Sequence, residues 1–85
     1  MKHDDLRQTV LRVLGEIAPE ADLERLQPNV AFRQQLDLDS MDFLNFVIAL
    51  HEATQVEIPE RDYSRLASLD GCVEYLAQRL SARQQ

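Results

Sequence analysis

Leu36-Asp37-Leu38-Asp39-Ser40-Met41-Asp42-Phe43-Leu44-Asn45-Phe46-Val47-Ile48-Ala49-Leu50 is the stretch on which the fold turns. Acids crowd its start, a serine stands among them, and large apolar side chains follow without a glycine or proline. Such a run predicts a helix from Ser40 to about Ala53. At about 100° per residue, Phe43, Phe46, Val47 and Leu50 share one arc, the core face. Met41, Leu44 and Ile48 form a second apolar arc. Ser40 and His51 separate the two arcs on one side, and Asp42, Asn45, Ala49 and Glu52 on the other. A helix covering a core needs only one stripe. Leu44 suits packing beneath a loop or a neighbouring helix as well as exposure. Met41 and Ile48, beside an acidic face, suit a partner.

Outward from this helix, the 85-residue chain reads as helical throughout and as a single domain over 1–85. Two glycines and three prolines among abundant Leu, Ala, Arg, Glu and Gln favour helices over a turn-rich sheet. Leu6, Val10, Val13, Leu14 and Ile17 follow one helical face, predicting a first helix from Asp4 or Asp5 to Ile17, capped by an aspartate and stopped by Pro19. The connection from Ala18 to Asp39 holds Leu23, Leu26, Val30, Phe32, Leu36 and Leu38, enough apolar anchors to tie it down, with a helical turn at Ala21–Leu26. Ile58-Pro59 returns the chain to extended backbone before a short helix from Glu60 to about Leu66, which packs Tyr63 and Leu66. Ser68 caps a last helix with Leu69, Cys72, Val73, Leu76 and Leu80 in one stripe. The fold class is all-α, a small antiparallel four-helix bundle of three longer helices and one short one, with a long first loop.

Charge is confined. Between Gln34 and Glu60 lie six of the fifteen acids and none of the nine Lys and Arg residues, so the rest of the chain balances and the net −6 belongs to the Ser40 segment. Such a surface repels nucleic acid and attracts basic protein faces. One cysteine, Cys72, gives no internal disulfide and no metal cluster, in keeping with a reducing, cytoplasmic setting, and it falls in the apolar stripe of the last helix. No stretch reaches membrane-spanning length, and the amino terminus lacks the apolar run of a signal peptide. Tyr63 and Tyr75 read as core-edge residues and His51 as a rim residue. Asp37, Asp39 and Asp42 do not make a calcium loop, because Met41, Asp42 and Ile48 fall where such a loop needs an oxygen ligand, a glycine and a glutamate.

Ser40 has three readings: a helix N-cap, an enzyme nucleophile, or the acceptor of a phosphate ester made by another enzyme. The nucleophile lacks machinery. His51 lies about 16 Å up the same helix axis, and no glycine-rich turn offers an oxyanion hole. A phosphodiester at a helix start would meet free N–H groups and the positive dipole end.

Leu38-Asp39-Ser40-Met41, the acidic and apolar helix after it, and Val56-Glu57-Ile58-Pro59-Glu60 together resemble the acyl carrier protein family, in order, through nearly the whole chain. The resemblance implies an acyl-carrier-like bundle in which Ser40, flanked by Asp39, receives 4′-phosphopantetheine from coenzyme A through a phosphopantetheinyl transferase. The arm's thiol would then carry an acyl or aminoacyl thioester. It implies docking through the Ser40 helix, with Met41, Asp42, Ile48 and Glu52 at family docking positions, and acyl-transferring or synthase enzymes with basic docking surfaces as partners. Asn45 completes the candidate partner-binding set, although it and His51 stand where fatty-acid-synthesis carriers often have acids. Asp37 replaces a customary glycine and Met41 a commoner leucine.

The expectation is therefore a monomeric, non-catalytic shuttle in fatty acid, specialised lipid or polyketide chemistry. A peptidyl, D-alanyl or aryl carrier with the same serine, or an unmodified helical adaptor, is the alternative. Phe43 and Phe46 make the core bulky near Ser40 and are expected to restrict the acyl group.

Overall fold

The structure, a computed structural model, describes residues 2–83, with side chains for 2–81. Helix α1 spans His3–Ile17, α2 Phe32–Gln35, α3 Ser40–Thr54 and α4 Leu69–Arg83. Short 3₁₀ segments cover Leu23–Arg25 and Glu60–Leu66. No strand forms among the described residues. The architecture is the all-α bundle read from the sequence.

Helix α1 forms because its apolar residues recur on one face: Leu6, Val10, Val13 and Leu14 are all buried. The expected aspartate cap is not there. The helix starts one residue before Asp4, behind Lys2, and no side chain caps it. Asp4 and Asp5 lie instead in the first turn, where their charge favours the exposed N–H groups. At the other end Ala18 N–H still donates to Leu14 O at 2.8 Å before Pro19 ends the helix.

The long connection is tied down, as its apolar anchors imply, but not by one turn alone. Leu26, Phe32 and Leu38 are buried. The helical turn shrinks to Leu23–Arg25, and α2, absent from the sequence reading, sets Phe32 into the core. Gln35 clamps the segment. Its side chain accepts from Gln27 N–H at 2.8 Å and donates to Gln27 O at 2.8 Å and Val30 O at 2.9 Å. Phe32 N–H donates to Ala67 O at 2.7 Å and Asp70 N–H to Pro28 O at 3.0 Å, which fastens the loop to the start of α4.

Helix α1 packs against both α3 and α4, and α4 against the Glu60–Leu66 segment. From α3, Phe46, Val47 and Leu50 enter the core while Phe43 is half-buried. Gln55 ends α3 in the left-handed region (φ 59°), and Thr54 Oγ1 donates to Leu50 O at 2.8 Å. Ser68 caps α4 as expected, its Oγ accepting from Gly71 N–H at 3.1 Å. Tyr75 is not at the core edge: only 1% of it is exposed. Its hydroxyl donates to Asp62 at 2.8 Å, Arg79 Nη2 donates to the same carboxylate oxygen at 2.7 Å, and the Arg65 and Arg79 guanidinium groups lie 4.8 and 5.1 Å from its ring centre. This group holds the 3₁₀ segment on α4.

Candidate functional site

The start of α3 is closed by two aspartates. Asp39 is the N-cap, with one carboxylate oxygen accepting from Asp42 N–H at 2.8 Å. Asp42 reaches back, and its own carboxylate accepts from Asp39 N–H at 3.3 Å. This reciprocal box satisfies two otherwise unpaired donors. Ser40 is therefore not the cap. It occupies the first helical position, is exposed, and its hydroxyl makes no hydrogen bond among the described residues.

The other candidate residues sort by face. Met41, Asn45, Ile48 and Glu52 are exposed and follow the i, i+4, i+7, i+11 spacing of one helical stripe. Met41 is 64% exposed and Ile48 47%. Leu44, which the sequence left open between packing and exposure, is 37% exposed and widens that stripe. Asp42 is half-buried, its carboxylate turned toward Asp39.

His51 sits at the rim with Nδ1 2.8 Å from Val56 O, far from Ser40 along the helix. Cys72 is buried, burial pushes its thiol pKa well up, and its S–H donates to Leu66 O at 3.4 Å. The Tyr75 hydroxyl, backed by Arg79, holds Asp62 below the usual carboxylate range. Burial, and then the bond to Asp62, raise Tyr75 itself. None of these groups reaches the serine. What the site offers is one accessible hydroxyl on a rigid helix start, beside an apolar stripe edged by acids.

The sequence reading missed how Phe43 is used. Its ring meets Tyr63 edge-on, centroids 6.2 Å apart at 72°, and Phe32 packs edge-on to Phe46 at 5.5 Å. Phe43, Tyr63 and Phe32 line a pocket of about 190 Å³ one helical turn from Ser40.

Residues 4–76 match the family model described as the phosphopantetheine attachment site. The chain belongs to this family of acyl carrier proteins. The cofactor of such carriers is 4′-phosphopantetheine. Among curated relatives, the carrier is similar to the mitochondrial acyl carrier protein of Neurospora crassa, with 30% identity over 76 residues. It is also similar to the acyl carrier protein of Rubrobacter xylanophilus (27% over 79 residues) and to mitochondrial acyl carrier protein 2 of Arabidopsis thaliana (31% over 81). These alignments cover 89%, 89% and 93% of the carrier. They span 57% of the Neurospora protein and 64% of the Arabidopsis protein, but 98% of the Rubrobacter one. No helix among the described residues is long and apolar enough to cross a membrane.

Proposed function

We propose that Ser40 carries the 4′-phosphopantetheine arm and that the whole chain works as one carrier domain, shuttling acyl groups as thioesters between enzymes of fatty acid, specialised lipid or polyketide synthesis. The observation that carries this reading is the exposed Ser40 hydroxyl, unbonded at the first position of α3. Ser40 and Met41 occupy the first turn, whose N–H groups have no intrahelical acceptor and suit a phosphodiester. The two flanking aspartates are occupied with each other, which limits their repulsion of the phosphate. When bound, the arm supplies a thiol; the chain supplies the anchoring oxygen, a fixed helix start and a surface to be recognised.

The Asp39 and Asp42 carboxylates beside Ser40 each accept a backbone N–H and neither bonds its hydroxyl, so on this reading a phosphopantetheinyl transferase supplies the base. The domain acts as a covalent carrier and not as a catalyst. Met41, Asn45, Ile48 and Glu52, with Asp42 at the stripe's start, form the surface offered to that transferase and to acyl-transferring or synthase enzymes with basic docking faces. Aliphatic side chains among acids would bury apolar area while the charges steer a basic partner into register. The chain is read as a monomer. A reducing, cytoplasmic setting accords with its one buried free thiol.

Intact mass after incubation with coenzyme A and a broad-specificity transferase tests the assignment. The parent chain gains the mass of one arm and Ser40→Ala gains none. An arm retained by Ser40→Ala, or a parent chain that stays bare, overturns it.

A further inference from the structure

Three larger hollows among the described residues, about 690, 570 and 560 Å³, are open troughs lined by mixed charged and apolar side chains. The pocket at Phe32, Phe43 and Tyr63 differs from all three. It is smaller, about 190 Å³, and its walls are three aromatic rings with Ala31 and Ala67 between them. Only Arg33 and Ser64 give it a polar edge. Phe43 lies three residues beyond Ser40, an axial rise of about 4.5 Å. A flexible arm anchored at Ser40 is much longer than that and can fold its tip back to the pocket mouth.

We infer that this pocket selects the cargo: a compact acyl group, the size of a benzoyl ring or a chain of about six carbons, rests among Phe32, Phe43 and Tyr63, and long saturated chains are left outside. This deepens the carrier reading and rests on it. An apolar cavity of about 150 Å³ suffices for benzene, and at roughly 30 Å³ per water-sized group this pocket takes about six such groups. A sixteen-carbon chain would need more than twice that space. Beyond the pocket the way inward is stopped: Phe43 closes on Tyr63 and lies 6.3 Å from Phe46, whose ring has no exposed area. Displacing packed aromatic rings to admit a longer chain would sacrifice core contacts that a small group leaves intact. A ring also gains from edge-to-face contact with the aromatic walls, as an alkyl chain does not.

The test loads Ser40 from benzoyl-, hexadecanoyl- or acetyl-coenzyme A with a broad-specificity transferase, adenosine 3′,5′-bisphosphate leaving, and follows both thioester hydrolysis and the backbone amide shifts of Phe32, Phe43 and Ala67. Benzoyl is expected to shift those amides and to hydrolyse about threefold or more slowly on the protein than as the free benzoyl thioester of pantetheine, within the range one edge-to-face contact can supply. Hexadecanoyl and acetyl, each compared with its own free thioester, show neither effect. Phe43→Leu, which keeps an apolar side chain but removes the ring, lowers the benzoyl protection; Phe43→Ala, which enlarges the pocket by one ring, extends protection to an octanoyl chain and still not to hexadecanoyl. Hexadecanoyl protected as well as benzoyl in the parent chain overturns the inference, and so do unmoved amides with every cargo. If mass shows that no arm attaches, the Ser40 assignment has failed and the pocket is judged separately. The benzoyl thioester of N-acetylcysteamine, added to the bare chain, must then shift the same three amides, or the inference falls too.

Discussion

Replacing each of the two glycines by alanine sets one rule of helix stability against another. Both lie inside helices, Gly15 in α1 and Gly71 in α4, where glycine costs about 1 kcal/mol relative to alanine. Propensity alone therefore makes both substitutions stabilising. At Gly15 a new Cβ would meet only Leu23 Cδ1 at 3.3 Å, the tip of a half-buried, flexible side chain that can yield a few tenths of an ångström. The gain there survives in large part. At Gly71 the same atom would stand 2.5 Å from Arg65 O, a backbone carbonyl, and 3.2 Å from Ser68 Oγ, the cap of the helix. Backbone must shift, at a cost of about 1–3 kcal/mol by analogy with overpacked cores. Subtracting the propensity gain leaves a net loss of about 1 kcal/mol. For a domain this size each kcal/mol moves the Tm by about 4–8 °C. Gly15→Ala should thus melt a few degrees above the parent and Gly71→Ala a similar amount below it, by circular dichroism and by urea midpoint alike. A Gly71→Ala chain melting at or above the parent would refute the argument that close approach to Arg65 O decides the sign.

Asp39→Ala removes the N-cap and half of the reciprocal box. A loss of about 1 kcal/mol is expected in a urea melt, and Asp39→Asn, which keeps an acceptor for Asp42 N–H, should recover most of it. Folding lowers the Asp62 pKa, so its contribution is complete above the ordinary carboxylate range and disappears as pH falls through that range toward the folded value. Asp62→Asn and Tyr75→Phe should therefore flatten the acid limb of stability against pH below about 4; parent and variants with parallel acid limbs would show that the contact contributes nothing. Cys72, buried with a raised thiol pKa, should resist a thiol reagent at neutral pH and react at once when urea unfolds the chain. Rapid labelling of the native chain would contradict its burial.

The parts of the fold that announce themselves in the sequence are those with a long period. Fifteen-residue helices at α1, α3 and α4 repeat their apolar residues often enough for the face to be read directly. Helix α2 has no such repeat. Four residues make a single turn, and this one is held by Gln35 bonds to Gln27 and Val30 and by the Phe32 bond to Ala67, 35 positions away in the chain. At the site, Ser40 and Asp39 are both competent caps, and the choice between them went to Asp39 because Asp42 stands three residues on and can return the bond. That spacing was visible in Asp39-Ser40-Met41-Asp42. The Asp62–Tyr75–Arg79 group was not visible, since its members come from two segments joined only by folding. The pocket was half legible: Phe43 and Phe46 stood out as bulky, but its walls need Phe32 and Tyr63 as well.

The two aspartates that close α3 leave the oxygen between them idle in holding the fold. Esterifying that oxygen breaks no bond of the fold, and the phosphodiester gains the open N–H groups of Ser40 and Met41, so the armed form should unfold at a midpoint no lower than the bare one. A body built this way can pass through repeated rounds of charging and discharge without its helix cap ever being undone.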